Sequence, residues 1–590
     1  MEVHSLREPN WKVALITMPW AQPVEPNLTM GQIHATLTHK GVEVKSFSFN
    51  LLLLKLLAEA YENNSSFSPL EEYQAIIGAN GLGDLLFCDG STFKNPTHFD
   101  KALLDKFLDL SLNEVMTFNP DTIMFTPLYL EMWPSIALAN RLKKTAPKKK
   151  ISIYNQDLSN DIKEVLEKNI HSIESIFYID DVVSMAEDFE AVYRPKHLPK
   201  IVSRTLVKKK EIVIPEPNFD DFFHRLNAYS LKGMVYNQLW LTQENSKGCW
   251  WAETKKCGFC ALTRSNSTFR RQKQEISAEI SENLANRYKL RRIHLFDWIQ
   301  DRKLKYFKDK TFRDYDYILY AQSLANITFN EFLDLKKSGA YLQLGIESFS
   351  TKILNILNKG TNLLENIHAL RTCAELDIPV FYNHLFGFPF DRLEYYEDLL
   401  SIFEKITFLP PPDIKEFHLR RISPIFDNPE NYNITDIKPK PWYNAIYGNF
   451  NAEDRYNVAS EFEFNTSHLD DDLSLAIEKV KNKIVNWQTL YRELGVTLTY
   501  RRGPDFIEIK DGRSGTEVIH LIEGIEGKVF SLALNGPIDI HDIHKSLDKV
   551  VDLFSITSSI NKLESKNFLI KEGNDVLSLP IAFMRDRRCQ

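Results

Sequence analysis

The apolar run over residues 11–18, Trp-Lys-Val-Ala-Leu-Ile-Thr-Met, ends at Pro19. Unbroken apolar character of that length predicts a buried parallel strand, and the proline predicts a loop after it. A helix-period stretch over 30–39 and a second strand over 42–47 continue a β-α-β rhythm. Further short apolar strands are predicted at 122–126, 149–154 and 175–179, with a helix over 133–144. Together these predict an open, Rossmann-like α/β sheet over 1–195, interrupted by a mostly helical insertion at 58–115.

Residues 196–235 are mixed in character and contain Pro199, Pro215 and Pro217, so they read as a linker. Alternation then resumes, with strands predicted at 238–242, 292–296, 317–321, 341–344, 380–385 and 416–420 and helical patterns between most of them. Six strands with polar candidates at or just beyond their ends predict a partial (β/α)6 barrel over 236–440 rather than a flat sheet. A helical connector is expected over 441–496. The remainder, 497–590, changes character: short strands at 497–500, 506–509, 517–521 and 529–534, helices at 540–553 and 558–567, then a strand at 576–579. That order predicts a small winged-helix-like α+β module. The fold class is therefore α/β with a smaller α+β module.

The 590 residues are too many for one core, and 43% apolar with 26% charged is ordinary globular composition. A net charge of −7 gives no general affinity for nucleic acid or anionic membrane. The start has no basic-then-apolar signal, and the leucine-rich run at 51–57 is too short to span a bilayer. Six cysteines in such a chain are not a disulfide framework, which predicts a reducing cytoplasm.

Half of those cysteines stand within twelve residues, as Cys249, Cys257 and Cys260 in a C-x7-C-x2-C loop. Three thiols without a fourth nearby suit a metal or cluster site with one open position. From the residues alone three readings stay open. They are a disulfide, which the compartment disfavours; a structural zinc with a distant ligand such as His294; and an iron–sulfur cluster with one iron free for another ligand.

The run Gly248-Cys249-Trp250-Trp251 … Cys257-Gly258-Phe259-Cys260-Ala261-Leu262 … Phe269-Arg270 resembles the cluster loop of radical S-adenosylmethionine (SAM) enzymes that modify ribosomally made peptides. His294-Leu295-Phe296-Asp297-Trp298-Ile299, Gln343-Leu344-Gly345-Ile346-Glu347-Ser348 with Asn358-Lys359-Gly360, Asn383-His384-Leu385-Phe386-Gly387-Phe388-Pro389 and Arg420-Arg421-Ile422-Ser423-Pro424 are similar to later signatures of that family. The resemblance implies a [4Fe–4S] cluster on Cys249, Cys257 and Cys260, with SAM on its open iron. It also implies cofactor-contacting roles for Phe259, Asp297, Gln322, Glu347, Asn383 and Gly387. The central unit is then a radical SAM barrel, and the N-terminal unit is similar to cobalamin-binding domains.

That last implication meets departures. Relatives carry a Gly-Gly pair where this chain has Ile153-Tyr154-Asn155-Gln156, and a Gly-Glu-Gly-Glu-like run where it has Ile179-Asp180-Asp181-Val182. Glycines there let the backbone meet the nucleotide tail of cobalamin, and larger residues crowd it. No Asp-x-His-x-x-Gly motif is present, and Phe390-Asp391 stands where relatives carry Gly-Glu. Cobalamin is therefore carried forward as an open cofactor beside the cluster and SAM.

The expected activity is modification of an unactivated carbon in a ribosomal peptide, with C-methylation as the outcome where cobalamin binds. A cobalamin-independent maturase making a crosslink, an epimer or a rearrangement is the alternative. A non-catalytic peptide-binding scaffold with a structural metal is a further one. The expected partners are a precursor peptide (leader and core) and an electron donor such as flavodoxin or ferredoxin, with neither nucleic acid nor membrane. The C-terminal module would hold the leader as an added strand, or else cap the barrel.

Overall fold

The computed structural model describes residues 11–62, 64, 66–79, 81–88, 98–127, 131–155, 158–178, 182–186, 201–203, 211–262, 268–466, 471–547 and 550–583. The chain divides into two compact units. One comprises Met1–Cys249, Leu262–Phe296 and Ile437–Glu463; the other comprises Trp250–Ala261, Asp297–Asp436 and Phe464–Gln590.

The first unit is built on a parallel sheet of β1 (Lys12–Thr17), β2 (Glu43–Ser48), β3 (Thr122–Phe125), β4 (Lys150–Tyr154), β5 (Ser175–Tyr178) and β6 (Ile201–Ser203). Its order is β2-β1-β3-β4-β5-β6. Val13, Ala14, Leu15 and Ile16 are all buried, so both faces of β1 are covered, which is why the run lacks polar alternation. Asn27 caps the helix Leu28–His39 by accepting the Met30 N–H, and that helix packs Ile33 and Leu37 into the core. Helices Pro69–Gly78, Leu82–Phe87 and Lys101–Phe118 form most of the insertion. β6 comes from the segment read as linker; three residues are too short a run to carry a strand pattern. The same unit holds Leu241–Gln243 paired in parallel with Arg292–Leu295.

In the second unit Ile318–Ser323 pairs in parallel with Ala340–Leu344, which pairs in turn with Val380–Phe381. Asn383–Phe386 pairs in parallel with Asp413–Glu416. Alternation is clean here: Leu319, Ala321, Leu342 and Leu344 are buried, while Tyr320, Gln322, Tyr341 and Gln343 lie half-buried on the opposite face. That second face is polar, as a site-lining face requires. The helices Phe329–Lys337 and Leu363–Leu376 both begin in capping boxes, Thr328 with Glu331 and Asn362 with Glu365.

Several boundaries move. The strand expected at 238–242 begins at Leu241 because Tyr236–Gln238 winds as a 3-10 turn. The strand expected at 416–420 falls between Asp413–Glu416 and Leu419–Arg420. The strand expected at 529–534 is instead the end of a helix, Gly524–Leu532. Val529 and Ala533 are buried one helical turn apart, so that alternation was half of a 3.6-residue period. The helices expected at 540–553 and 558–567 run over Ile540–Ser546 and Leu553–Ser565. Residues Leu128, Gln156 and Ile179-Asp180-Asp181 lie outside the described residues.

The C-terminal residues form a four-stranded sheet in the order Val518–Glu523, Phe506–Asp511, Leu498–Arg502, Ile581–Ala582. The first three strands are antiparallel, and Ile581–Ala582 runs parallel to its neighbour. A hairpin of Leu569–Glu572 and Asp575–Ser578 follows the helix Leu553–Ser565. Among the described residues no helix is long and apolar enough to cross a membrane.

Candidate active site

The loop that carries Cys257 and Cys260 is fixed by backbone contacts within the second unit. The Cys260 N–H donates to the Cys257 carbonyl at 3.0 Å, closing a turn around Gly258 and Phe259. Gly258 donates to the Leu357 carbonyl at 2.8 Å and accepts the Ile425 N–H at 3.1 Å. Trp251 Nε1 donates to the Asn358 carbonyl at 2.8 Å, and Lys256 Nζ to the Ile422 carbonyl at 2.8 Å. The signatures around 358 and 422 therefore hold the cysteine loop in place.

Between that loop and the strand Ala340–Leu344 lies Lys359, only 5% exposed. Its ammonium stands 3.0 Å from Glu347 Oε1 and 5.5 Å from the centre of the Phe259 ring. A Cβ on Gly345 would come within 2.7 Å of Nζ, so a glycine there leaves room for the cation. Burial pushes the Lys359 pKa down, but the Glu347 carboxylate and the thiols of Cys257 and Cys260 outweigh it, and the net direction is up. A permanent cation thus sits beside two of the three thiols.

Glu347 adopts a left-handed conformation, φ 61°, uncommon for a non-glycine residue and characteristic of functional sites. Its carbonyl accepts the Leu385 N–H at 2.9 Å, in an isolated parallel bridge with His384. That bridge brings Asn383 alongside Glu347, and the Asn383 side-chain oxygen is buried without a hydrogen-bond partner. An acceptor in that state suits a donor from a bound molecule. At the far end of the same strand Gly387 turns the chain at φ 80°, with nothing within 4 Å of where a Cβ would stand. Its N–H and that of Phe388 donate to Asp391 Oδ2 at 3.1 and 2.8 Å, and the Tyr396 hydroxyl donates to the same oxygen at 2.6 Å. Burial raises the Asp391 pKa to about 6, against the opposing effect of those three donors.

The structure thus gathers Cys257, Cys260, Phe259 and Glu347 around Lys359, with Asn383 and Gly387 on the neighbouring strand. Gln322 lies on the half-buried face of Ile318–Ser323, where its carbonyl accepts the Gln300 N–H at 3.2 Å. Asp297 is buried just beyond Arg292–Leu295, and Cys249 closes the first stretch of the first unit. Sequence reasoning assigned no role to Lys359, whose only signal was its place in Asn358-Lys359-Gly360, nor to Asp391, noticed only as a departure.

The C-x7-C-x2-C spacing offers three thiols to a metal or cluster. His294, one distant ligand the zinc reading could use, has Nδ1 2.8 Å from Glu25 Oε2, a partner that metal-bound histidines commonly have. Among the described residues no three His, Cys, Asp or Glu side chains converge closely enough to hold one ion. A [4Fe–4S] cluster takes its thiolates on separate irons, so its ligands stand farther apart than those of a single ion but still gather around one cube.

The first unit fits cobalamin less well. Ligands of open α/β sheets bind where the strand order reverses, here between the carboxyl ends of β1 and β3. That crevice is bridged by the Thr17 and Thr126 hydroxyls, 3.5 Å apart. Trp20 beyond β1 is 3% exposed, packed by Tyr73, Phe87 and Phe99, and its Nε1 donates to the Gly83 carbonyl. Beyond β4, Asn155 donates to the Pro127 carbonyl at 2.8 Å. Asn155, Asp84, Trp442 and Tyr447 line a void of only about 50 Å³. Among the described residues, side chains fill this edge.

No protein-family model and no curated protein matches the chain. Among solved structures it is similar to OxsB, a cobalamin-dependent S-adenosylmethionine radical enzyme solved with aqua-cobalamin and SAM bound. The TM-score is 0.53 at 11% identity, covering 95% of this chain and 71% of that one. It is also similar to the radical SAM methyltransferase TsrM from Kitasatospora setae, solved with cobalamin and a [4Fe–4S] cluster bound. There the TM-score is 0.50 at 12% identity, covering 81% and 89%. The chain therefore has a mixed α/β fold with parallel sheets, like that of cobalamin radical SAM enzymes. At such identities the likeness is one of fold.

Proposed function

We propose that this chain is a radical SAM enzyme acting on an unactivated carbon of a ribosomally made peptide. The observation that carries the reading is the buried Lys359 ammonium set between Glu347 and the thiols of Cys257 and Cys260. Bound on Cys249, Cys257 and Cys260, the cluster would supply an electron to SAM and so a hydrogen-abstracting radical. The residues supply the rest. Lys359 offsets the negative charge of the thiolates. Glu347, with one oxygen on Lys359, keeps the other as an acceptor for the amino group or ribose of SAM. Asn383 offers its unpartnered oxygen to an N–H donor, Gly387 admits the adenine close to the backbone, and Phe259 presents a ring face.

Two outcomes follow the radical. Fold likeness to two cobalamin enzymes supports C-methylation, whereas the filled edge of the first sheet supports a cobalamin-independent crosslink, epimerisation or rearrangement. Peptide as substrate is supported by the strand Val518–Glu523, which lies at the edge of its sheet with Ile519 and Leu521 about 60% exposed. Such an edge accepts an added strand, as the leader of a precursor peptide would provide. A flavodoxin or ferredoxin in the cytoplasm would deliver the electron.

Anaerobic reconstitution tests the reading. It expects about four irons and four sulfides per chain and 5′-deoxyadenosine from SAM under dithionite. Bound zinc with no SAM cleavage would leave only a peptide-binding scaffold. Corrin absorbance retained after incubation with methylcobalamin and desalting separates C-methylation from the cobalamin-independent outcome.

A further inference from the structure

Away from the cysteine loop, the second unit contains an open cleft of about 1100 Å³. Its walls come from the start of Phe329–Lys337, the second half of Leu363–Leu376 and the strands Leu498–Arg502 and Ile581–Ala582. Three arginines, Arg371, Arg501 and Arg502, line it against one acid, Glu375, a local excess of positive charge in a chain of net −7.

The arginines are not there merely to satisfy protein carboxylates. Arg501 stands over the Phe583 ring, 3.8 Å from its centre, and Arg502 stands 5.9 Å from that of Tyr500. Both are exposed, and neither forms an ion pair among the described residues, although Glu508 is opposite Arg501 in the strand register. Arg371 is 3% exposed and donates to the Leu534 and Pro580 carbonyls, yet its Nε has no partner. That guanidinium, buried and with one N–H unpaired, adds its positive charge to the cleft wall.

We infer that this cleft binds an acidic segment of the peptide substrate, with carboxylates on the arginines and apolar side chains against Phe329 and Phe583. The inference rests on the reading of the substrate as a peptide. A guanidinium stacked on a ring keeps its edge free for bidentate pairing with a carboxylate. Phosphate is the poorer match. The one helix start in the cleft that would attract it is already closed by its own acid: Glu331 Oε2 accepts the Thr328 N–H at 2.8 Å. Phe329 and Phe583, each about 40% exposed, suit apolar residues interleaved with the acids. The cleft also borders the sheet whose opposite edge is Val518–Glu523, so a leader paired there has only four strands to cross.

The test uses the full reconstituted chain and a fluorescein-labelled decapeptide alternating Glu and Leu, with its Gln-for-Glu counterpart as control. Anisotropy should show the acidic peptide binding at least ten-fold more tightly than the Gln peptide. It should also show at least a ten-fold loss in an R501Q/R502Q variant whose melting temperature is unchanged. Equal binding of the two peptides, or undiminished binding by the variant, overturns the inference. So does displacement of the peptide by sodium tripolyphosphate at concentrations below the peptide's own Kd, which would mark a phosphate site. Modification of a precursor peptide, followed separately by mass spectrometry, tests the reading beneath. If the precursor is modified and its KM is unmoved by R501Q/R502Q, the cleft assignment fails while the peptide reading stands.

Discussion

Lys359 and Glu347 form an ion pair at 3.0 Å with both side chains largely removed from solvent. Breaking a buried pair from one side costs about 3–5 kcal/mol, because the remaining charge is left without a partner. Lys359→Met should therefore destabilise the chain by that order in chemical denaturation. Lys359→Met combined with Glu347→Gln should cost clearly less than the sum of the single changes. Additive costs would mean that the two groups are not coupled. Redox titration of the reconstituted variant separates a second role: loss of the cation beside Cys257 and Cys260 should shift the cluster's midpoint potential to a more negative value, a change that a purely structural pair would not produce.

The described cysteines divide into two groups. Cys249, Cys257 and Cys260 are half-buried on the loop, while Cys373 is fully buried in Leu363–Leu376, and Cys88 Sγ donates to the Ile446 carbonyl at 3.2 Å. Alanine at any of the loop positions should abolish iron incorporation and 5′-deoxyadenosine formation. Cys88→Ala should keep both. Iron content and chromatography of the nucleoside product decide it, and full iron content in a loop variant would remove that cysteine from the ligand set.

Much of this was legible in the sequence because the strands are parallel and covered. Val13 to Ile16 read as a strand since both faces are buried, whereas Gln322 was named only through the family resemblance and its half-buried face shows in the alternation with Ala321 and Ser323. What escaped depends on partners distant in the chain or on short runs. Lys359 acquires its meaning only when the chain turns back to place it on Glu347. Asp391 does so only when it accepts the Gly387 and Phe388 N–H groups. The Val529–Ala533 alternation was misread because a half-buried helix and a strand share a short pattern. The closure of the first sheet's edge involves Trp442 and Tyr447, which no local pattern links to Asn155.

Gly387 sits at φ 80° with open space around its missing Cβ. Alanine there meets no atom, so its cost is the left-handed backbone alone, about 1–2 kcal/mol. Gly387→Ala should lower the melting temperature modestly and weaken SAM binding by calorimetry. Gly387→Asn, which tolerates this conformation better, should be milder in stability but should still weaken SAM. Unchanged SAM affinity in both variants would remove Gly387 from the cofactor site.

The exposed edge strand gives a further expectation. Ile519→Pro removes one backbone donor from Val518–Glu523, and it should weaken a labelled leader peptide at least ten-fold if the leader adds as a strand. Phe554, 84% exposed on the nearby helix Leu553–Ser565, should matter less for backbone pairing. Phe554→Ala is therefore expected to have the smaller effect. Anisotropy with a labelled leader peptide reads both, and the opposite ranking would move the leader off the strand.

Asp391 links stability to pH with a definite sign. Burial raises its pKa from 3.8 to about 6, so between those values the folded chain holds a proton that the unfolded chain releases. The resulting stabilisation is complete below about pH 4 and is lost as pH rises through 6, amounting to about 3 kcal/mol at one pKa unit per 1.4 kcal/mol. Asp391→Asn does not titrate and keeps a carbonyl oxygen for the Gly387 and Phe388 N–H groups. Its stability relative to the wild type should therefore rise by up to that amount between pH 4 and pH 7, as measured by denaturation midpoints at several pH values. Parallel curves for the two proteins would show that the carboxyl is ionised across the whole range, and that the turn at Gly387 is held by a permanent charge.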